Sequence, residues 1–385
     1  MPEVDAVIAG HSHLAFPGPG FPALPGVDPE LGRLAGKPAV MPGHSGSHIG
    51  IIDLVLSRDA RHFRGGWRVK GSGAKLIAAG DPCPHDRLLQ GALEADHRAT
   101  LAWSRRPIGE TRVPLHTHFA TVAPSSAMEL IAAAKIAHAR RALYGTAWED
   151  LPLLASVAPF RAGGRGGPGN FTDIAAGAFR MRSLSDLYAF PNTLVTLAVS
   201  GAEITDWLEQ SAALFRQITP GSQDSPLLRD DMPSFTFEVI PGLDYQIDLG
   251  QPARFDAHGT LVDPGHRRIR NLCHQGKPVD GAARFLLVTN NHRAGRLRAG
   301  AGRAEPEVVL ADRTRTRDVI GDYFRSEELV GGPATMSWSF APMPQTTVTI
   351  AAGTGSDRYL SDIARYRPEP TGSAVDGFHH YRLHL

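Results

Sequence analysis

Hydrophobic and polar residues alternate along the first part of the chain in the way that strands require. Ile49–Leu56 and Trp67–Ala74 alternate with a period of two and predict a pair of antiparallel strands. A short apolar strand at Asp5–Ala9 comes before them and runs directly into a Gly-His-Ser-His segment. The loop from Pro17 to Pro42 is rich in proline and glycine, and a short polar helix is predicted within it at Pro29–Leu34. These elements predict a fragment of a sheet rather than a complete core.

The pattern changes to helical spacing from about Asp81 to Arg105. Apolar residues there recur three or four positions apart among charged ones. Pro84 near the start and Pro107 just past the end are typical of helix boundaries. Residues 81–106 are therefore predicted to form a linker helix between two domains.

Residues 107–385 mix helical and strand patterns, which predicts one α/β domain. The predicted helices are Met128–Arg141, Ala202–Ala213 and Thr316–Phe324, and the predicted strands are Leu153–Ala158, Leu194–Val199, Phe235–Ile240, Tyr245–Asp248 and Phe285–Thr289. Ser126 and Glu129 have the spacing of a capping box at the first of these helices. The alternating residues Gly377–Leu385 predict a strand that closes a sheet edge. The fold class is thus α/β, of the α+β kind, in three parts: 1–80, 81–106 and 107–385.

Charge and composition exclude several classes of function. The net charge is +1, from 40 Lys+Arg and 39 Asp+Glu, so no broad field favours a nucleic-acid polymer or a membrane surface as partner. No apolar run approaches the roughly 18 to 20 residues that cross a bilayer. The first residues have neither the basic start nor the apolar stretch of a signal peptide, which predicts a cytoplasmic location for the chain as given. Cys83 and Cys273 lie in different predicted elements and are expected to be free thiols.

The Gly-His-Ser-His segment is the first candidate for chemistry. His11 and His13 stand two positions apart where a strand ends, so both imidazoles can point into one pocket at the edge of a sheet. Neutral imidazole suits divalent transition metals, although two ligands do not complete a site. Two surface histidines in a loop are the alternative. A second such pair, His116 and His118, is interpreted as surface or strand packing, and His44 has no motif to support a role.

Several spaced motifs resemble one known family. Ile8–His13 resembles the last metal-ligand motif of the calcineurin-like metallophosphoesterases, and Pro38–Gly43 with Ser47–Asp53 is similar to the closing strands of that domain. The further motifs, in order along the chain, are Ala158–Arg165, Asp186–Thr193, Tyr245–Leu249, Arg268–Leu272, Gly276–Asp280 and Val288–Arg293. Together they resemble the 2′,3′-cyclic-nucleotide 2′-phosphodiesterase/3′-nucleotidase branch of the 5′-nucleotidase superfamily.

The resemblance implies an identity for each part of the chain. Residues 1–80 would be the C-terminal remnant of a metallophosphoesterase β-sandwich, and residues 107–385 a substrate-binding domain. The family uses two divalent metal ions (Mn, Co, Zn or Mg) that clamp the phosphate and activate a water. His11 would be a ligand of one metal and His13 a ligand of the other. His48 would contact these ligands without binding a metal itself.

The resemblance also implies a nucleotide site in the second domain. Its residues would be Arg161, Gly163, Gly164, Arg165, Phe190, Asn192, Asn291 and His292. The two arginines would donate to phosphate or ribose, and the two glycines would allow close backbone approach. Phe190 would be one aromatic wall of a base-stacking site and His292 the other, where an imidazole replaces the usual larger ring. The alternative for Phe190 is a place in the core.

The remaining ligands of a two-metal site are not found in this sequence. The family has an upstream Asp-x-His, a bridging Asp, a Gly-Asn-His-Asp/Glu segment and a further His. Their absence predicts a nucleotide phosphoester hydrolase that is inactive or incomplete as this chain alone, from a family that is periplasmic. The alternatives are a nucleoside- or nucleotide-binding module without catalysis and a decayed gene remnant. The expected partner is a nucleotide or nucleoside, and the oligomeric state stays open.

Overall fold

A computed structural model describes residues 3–19, 21, 24–58, 66–80, 86–298, 306–327, 329–372 and 377–385, with Arg165 and residues 296–298 described for their backbone only. Contacts divide the chain into two compact units, Met1–Asp96 and His97–Leu385. None of the helices in the described part combines the length and apolar character that a bilayer crossing needs. Cys83 and the first residues of the predicted linker helix lie outside the described residues. The three-part division at 80 and 106 stays a prediction.

The first unit consists of short strands and one long hairpin. Its strands are β1 (Val7–Ile8), β2 (Ala15–Phe16), β3 (Val27–Asp28), β4 (Arg33–Leu34), β5 (Lys37–Pro42), β6 (His48–Arg58) and β7 (Trp67–Ala78), and helix α1 (Arg87–Ser104) spans the boundary between the units. Strand β5 pairs parallel with β1 and antiparallel with β2 and β4. The antiparallel pair predicted at residues 49–56 and 67–74 is confirmed as β6 and β7.

The helix predicted at Pro29–Leu34 is wrong, because this segment turns between β3 and β4. Asp28 accepts the backbone N–H groups of Glu30 and Leu31, which closes the turn. Gly32 then adopts a φ of +63°, and a Cβ there would lie 2.9 Å from the Cβ of Ala74. The glycine therefore fixes a tight turn packed against β7, and local helical spacing does not overcome it.

The first unit has a small core and much exposed apolar surface. Within its described residues the buried apolar side chains are Phe16, Pro38, Ala39 and Val40. Large side chains on the hairpin are open to solvent, among them Ile49 at 61% and Trp67 at 67%. Exposed apolar surface of this extent is uncommon on a self-sufficient domain.

The second unit contains most of the hydrophobic core. Its strands are β8 (Pro107–Thr111), β9 (Leu115–His116), β10 (Leu153–Ala155), β11 (Asp173–Ile174), β12 (Gly177–Arg180), β13 (Thr193–Ser200), β14 (Ser225–Pro226), β15 (Leu243–Ile247), β16 (Ile269–His274), β17 (Lys277–Pro278), β18 (Arg284–Asn290), β19 (Glu307–Arg315), β20 (Trp338–Phe340), β21 (Thr347–Ala352), β22 (Glu369–Pro370) and β23 (His379–His384). Its α-helices are α2 (Ser126–Leu143), α3 (Met181–Leu187), α4 (Gly201–Ala212), α5 (Asn291–Arg298) and α6 (Thr316–Ser326). Short 3₁₀ helices lie at Gly164–Gly166, Ser234–Thr236 and Ser356–Tyr366.

Three four-stranded sheets organise this unit. Their strand orders are β10-β18-β13-β19, β17-β16-β15-β20 and β14-β21-β23-β22. The central strands β13 and β18 are almost continuous runs of apolar or small residues, as strands covered on both faces require. Helix α2 packs on β10 and on α6. The mixed α/β class is confirmed, and the helices and strands predicted near 128, 194, 202, 245, 285 and 316 are present.

Three local predictions in this unit are wrong. Residues 235–240 do not form a strand, because a 3₁₀ turn occupies their start and Val239 alone bridges to Val157. The helix at 126 has no capping box, since Ser126 donates to the carbonyl of Pro114 and Glu129 accepts the backbone N–H of Thr335. The last strand does not close a sheet edge, because β23 lies between β21 and β22.

A buried arginine joins α4 to β16. Arg268 is 1% exposed, and its guanidinium donates to the carbonyl oxygens of Ala212, Phe215 and Gln251 at 2.8–2.9 Å. The backbone N–H of Arg268 donates in turn to the buried carboxylate of Glu209, at 2.8 Å. Burial lowers the pKa of Arg268 to about 10 and raises the pKa of Glu209. The arginine thus caps the C-terminal end of α4, where the helix leaves carbonyl oxygens without partners.

Candidate functional site

The loop from Arg161 to Asn170 projects from a closed base. Ala162 pairs with Phe171 as an isolated antiparallel bridge, and the N–H of Gly163 donates to the carbonyl of Asn170 at 2.9 Å. Gly163 has a φ of +73°, and a Cβ there would lie 2.7 Å from the Phe171 ring. Gly164, with a φ of +63°, has nothing within 4 Å of its Cβ position. The base of the loop is therefore packed, while its tip has open space that a ligand can approach closely.

Arg161, the first residue of this loop, has an oriented and partly exposed guanidinium. Its side chain is 30% exposed, and Nη1 donates to Asp186 Oδ1 at 2.6 Å. Nη2 lies 3.5 Å from the carbonyl oxygen of Gly169. The guanidinium is thus oriented by one carboxylate and one carbonyl, and keeps N–H groups for an anion. The side chain of Arg165 lies outside the described residues.

Phe190 presents a ring to solvent with aromatic support behind it. It is 45% exposed, which excludes the alternative that it belongs to the core. Its ring lies 5.1 Å from the ring of Phe160 in an edge-to-face contact, and Phe160 packs in the same way on buried Tyr188 at 4.8 Å. Phe160 directly precedes Arg161, so the ring that supports Phe190 and the guanidinium come from adjacent residues of the chain.

The other predicted substrate residues lie at one end of the strand pair β13–β18. Leu194 pairs with Asn290, so the segment before β13 and the segment after β18 emerge together. The side chain of Asn291 accepts the N–H of Thr193 at 3.1 Å. The carbonyl of Asn192 accepts the N–H of Thr316 at 2.8 Å. His292 is exposed in the first turn of α5.

A buried charge network, which no pattern in the sequence indicates, supports the start of α5. Glu238 is 5% exposed, and its carboxylate accepts from Trp207 Nε1 at 2.8 Å and lies 3.4 Å from Nε of Arg293. Lys135 is also buried and donates to the carbonyl of Ser156 at 2.7 Å. Burial lowers the pKa of Lys135 to about 8. The network fixes Arg293, and through it the turn that carries His292.

The second histidine pair is buried rather than on the surface. His116 and His118 are each 5% exposed, and the Nδ1 atoms of both lack a hydrogen-bond partner among the described residues. The His116 ring stacks on Tyr359 at 3.7 Å, and its Nε2 lies 3.0 Å from Asp362. The pair therefore packs β9 against the 3₁₀ helix at Ser356–Tyr366, more than 200 residues away in the chain.

His118 connects that packing to the Arg161 loop. Its ring stacks on Phe171 at 4.9 Å, and its Nε2 lies 3.4 Å from Asp173. Asp173 is also held by Arg358 and by the Tyr359 hydroxyl, the latter at 2.7 Å. Burial lowers the pKa of His118 from its ordinary value, and the nearby Asp173 carboxylate does not reverse this.

The lowered pKa of His118 predicts that acid destabilises the second unit. As the pH falls below 6.5, the ordinary pKa, the unfolded chain takes up a proton at His118 before the folded chain does. The stabilisation is therefore fully present above that pH and is lost as the pH falls through the folded pKa. We expect the free energy of unfolding, measured with urea, to be lower at pH 5 than at pH 7.5.

The variant H118F isolates this contribution because it keeps a flat ring against Phe171 but does not titrate. Its loss of stability between pH 7.5 and pH 5 should be smaller than that of the unaltered chain. H258Q, at an exposed turn, is the control because it also removes one histidine. It should leave the difference in free energy of unfolding between pH 7.5 and pH 5 unchanged. An equal acid dependence in H118F and the unaltered chain would contradict the prediction.

The first unit brings three histidines to one sheet edge. Because β1 and β5 are parallel, the residues after Ile8 and those after Pro42 emerge side by side. His11 and His13 are exposed and have φ values of +71° and +63°, and the His13 ring lies 5.0 Å from that of His44. Two parallel strands each followed by Gly-His was the signal that could have identified His44. His48 Nδ1 and Ser47 Oγ share a hydrogen bond of 2.9 Å, and the tautomer of the imidazole decides which of them donates.

These residues do not fit a complete two-metal site. No group of three or more histidine, cysteine, aspartate or glutamate side chains that could hold a metal ion occurs among the described residues. Three or more protein ligands are usual for each such ion. His11 and His13 can supply two ligands, and we derive no catalytic step through a metal in this chain.

The second unit is similar to proteins of known family. The family description "5′-nucleotidase, C-terminal domain" matches residues 107–298. Residues 107–298 of the chain are therefore a 5′-nucleotidase C-terminal domain. All eight predicted substrate-binding residues lie inside the matched segment, and His11, His13 and His48 lie outside it. The resemblance found in the sequence motifs is thereby confirmed.

Relatives extend the likeness beyond the matched domain. It is 37% identical over 362 residues to the 2′,3′-cyclic-nucleotide 2′-phosphodiesterase/3′-nucleotidase of Salmonella typhimurium, a match covering 90% of the chain and 55% of the relative. The protein of the same name from Yersinia enterocolitica is 33% identical over 406 residues, covering 100% of the chain and 61% of the relative. The chain thus spans just over half the length of these relatives.

A solved structure shows the same fold. The crystal structure of a Staphylococcus aureus protein described as a 5′-nucleotidase, in complex with α-ketoglutarate, superposes with a TM-score of 0.56 at 21% identity. The match covers 88% of this chain and 56% of that one.

Proposed function

We propose that the 5′-nucleotidase C-terminal domain binds a nucleotide, with the phosphate at Arg161 and the base on Phe190. The observation that carries this proposal is the aromatic contact at 5.1 Å between Phe160 and Phe190, because Phe160 is the residue before Arg161. It ties an exposed π-face and an oriented guanidinium into one surface. A nucleotide has both a flat base and an anionic phosphate, which match the aromatic ring and the guanidinium.

The loop tip gives the phosphate further donors. Arg161 can donate charge-assisted hydrogen bonds from the N–H groups that Asp186 and Gly169 leave available. The open space at Gly164 lets an anion come close to the backbone. Asp186 already holds the guanidinium in a fixed orientation, so binding costs little ordering of that side chain.

The substrate class of the whole protein is part of the same proposal. The named relatives support hydrolysis of phosphoester bonds in 3′-nucleotides or 2′,3′-cyclic nucleotides, in the periplasm as the resemblance implies. His11 and His13 would each contribute to a divalent metal site whose other ligands lie outside the described residues. A domain that binds nucleotides without hydrolysing them is the second candidate, favoured by the incomplete ligand set.

The variant F190A tests the base site. Stacking of a base on an aromatic side chain contributes about 1 to 3 kcal/mol, so the affinity for adenosine should fall about 10-fold. Titration calorimetry with adenosine and with 3′-AMP measures this change, and both ligands should lose affinity by a similar factor because both carry the base.

Y144A provides the control. Tyr144 is 78% exposed at the end of α2, and its loss should not alter either affinity. If the unaltered chain releases no heat with either ligand, or if F190A binds adenosine as well as the unaltered chain does, the proposed nucleotide site is wrong.

A further inference from the structure

Thr117 lies beneath the Arg161 loop and joins its two ends. It is 1% exposed, and its hydroxyl donates to the carbonyl oxygen of Arg161. The same hydroxyl accepts the N–H of Thr172 at 3.0 Å, while the backbone N–H of Thr117 donates to the carbonyl of Thr172 at 3.1 Å. One side chain thus connects the first residue of the loop to the strand by which the loop returns.

The connection continues to the partner of the guanidinium. The Thr172 hydroxyl donates to the backbone carbonyl of Asp186 at 2.8 Å. The Asp186 side chain accepts Nη1 of Arg161 at 2.6 Å. Arg161, Thr117, Thr172 and Asp186 therefore form a closed ring of hydrogen bonds. The ring fixes both the backbone from which the arginine side chain leaves and the carboxylate that orients its end.

Tight packing on the far side of the loop prevents it from relaxing around a lost hydrogen bond. Phe171 stacks on His118, the residue after Thr117. A Cβ at Gly353 would lie 2.5 Å from the Phe171 ring and 3.0 Å from the His118 ring. Backbone and rings are thus in contact on the side away from the loop tip. A hydroxyl is the smallest side-chain group that can donate and accept in this position at once.

We propose that Thr117 is a positioning residue for phosphate binding, which sets the place of Arg161 without touching the ligand. The inference rests on the proposed nucleotide site. Its consequence is selective: loss of the Thr117 hydroxyl weakens ligands that carry a phosphate more than it weakens ligands that do not. A residue that only stabilised the fold would weaken both alike or neither.

The test compares T117V, T117S and the unaltered 385-residue chain by calorimetry with 3′-AMP and adenosine. Valine has the shape of threonine but leaves the Arg161 carbonyl and the Thr172 N–H without this partner, and a buried group left unpaired costs about 1 to 3 kcal/mol. We expect T117V to bind 3′-AMP about 10-fold more weakly and adenosine within 2-fold of the unaltered chain. T117S keeps the hydroxyl and should restore 3′-AMP binding.

A second measurement follows the hydrogen exchange of the loop in the absence of any ligand. Hydrogen exchange in the peptide covering residues 161–172 should be faster in T117V and near the unaltered rate in T117S. T205V is the matched control, because Thr205 also donates a hydroxyl hydrogen bond, at 2.8 Å to Gly201 within α4. It should change neither the exchange of this peptide nor the ratio of the two affinities.

The outcomes separate this inference from the proposed function. Faster loop exchange together with a selective loss of 3′-AMP affinity supports the role of Thr117. Unchanged exchange, or an equal loss for both ligands, overturns it while leaving the nucleotide site intact. If the unaltered chain binds neither ligand, the proposed function fails and the role in phosphate binding fails with it, whatever the loop exchange shows.

Discussion

Replacing Arg268 with methionine is expected to lower the free energy of unfolding of the second unit by about 3 to 5 kcal/mol. The guanidinium is buried and donates to three carbonyl oxygens, those of Ala212, Phe215 and Gln251. Methionine fills much of the volume but donates nothing, so these oxygens lose their partner in a place that water does not reach. The change should appear as a lower urea midpoint with an unchanged slope.

The carboxylate of Glu209 enlarges the effect. Glu209 has no exposed surface and accepts the N–H groups of Arg268 and Ile269. Without the guanidinium nearby, its buried negative charge loses a favourable interaction, and its pKa should rise further. R268M should therefore lose more stability at high pH than at low pH, because protonation of Glu209 removes its need for a counter-charge.

R267M is the matched control, since Arg267 is the neighbouring arginine and is exposed. Surface substitutions of this kind usually change stability by less than about 0.5 kcal/mol. A stability loss in R268M no larger than that in R267M would show that the cap on α4 is dispensable.

Replacing Arg161 with alanine is expected to weaken 3′-AMP binding by about 10- to 100-fold, the equivalent of roughly 1.5 to 3 kcal/mol for hydrogen bonds to a charged group. Adenosine carries no phosphate, so its affinity should stay within about 2-fold. Calorimetry with both ligands gives the two values. R161K should recover part of the loss, because lysine keeps the charge but not the planar fork of donors.

R216A controls for the loss of one positive charge. Arg216 pairs with Asp230 at 2.7 Å and is 42% exposed, so its removal should leave both affinities unchanged. A loss in R161A that is the same for adenosine and 3′-AMP would instead assign Arg161 to the nucleoside or to the loop structure. The combined result with F190A then decides whether phosphate and base are recognised at separate ends of one site.

The periodic segments of the fold could be predicted from sequence because their partners are implied by pattern alone. The hairpin β6–β7 has apolar stretches broken by polar residues, and β13 and β18 are mostly apolar, so neither strand type depends on knowledge of distant residues. Helix α2 was also predictable from its apolar spacing. Its start was not, because Ser126 and Glu129 find partners at Pro114 and Thr335, beyond the reach of a local capping pattern.

The candidate site also has parts that local sequence patterns indicate and parts that depend on residues distant in the chain. The family resemblance implied a common nucleotide site for Arg161, Phe190 and Asn291, and their roles stay predictions. For His116 and His118 the sequence left surface exposure and strand packing both open, because their partners, Tyr359 and Asp173, are 55 or more residues away. No property of a short His-Thr-His segment distinguishes a buried pair from an exposed one.

The position of β23 between β21 and β22 has a consequence for how the chain is made. Residues 379–384 pair on both sides, with Thr347–Ala352 and with Glu369–Pro370. On a ribosome the two flanking strands emerge first, and they cannot join into one sheet until the strand between them follows. Such non-local pairing is slow to form and leaves strand edges open in the meantime. This sheet is therefore completed only after residues 379–384 have been translated, and its strand edges stay open to other chains until then.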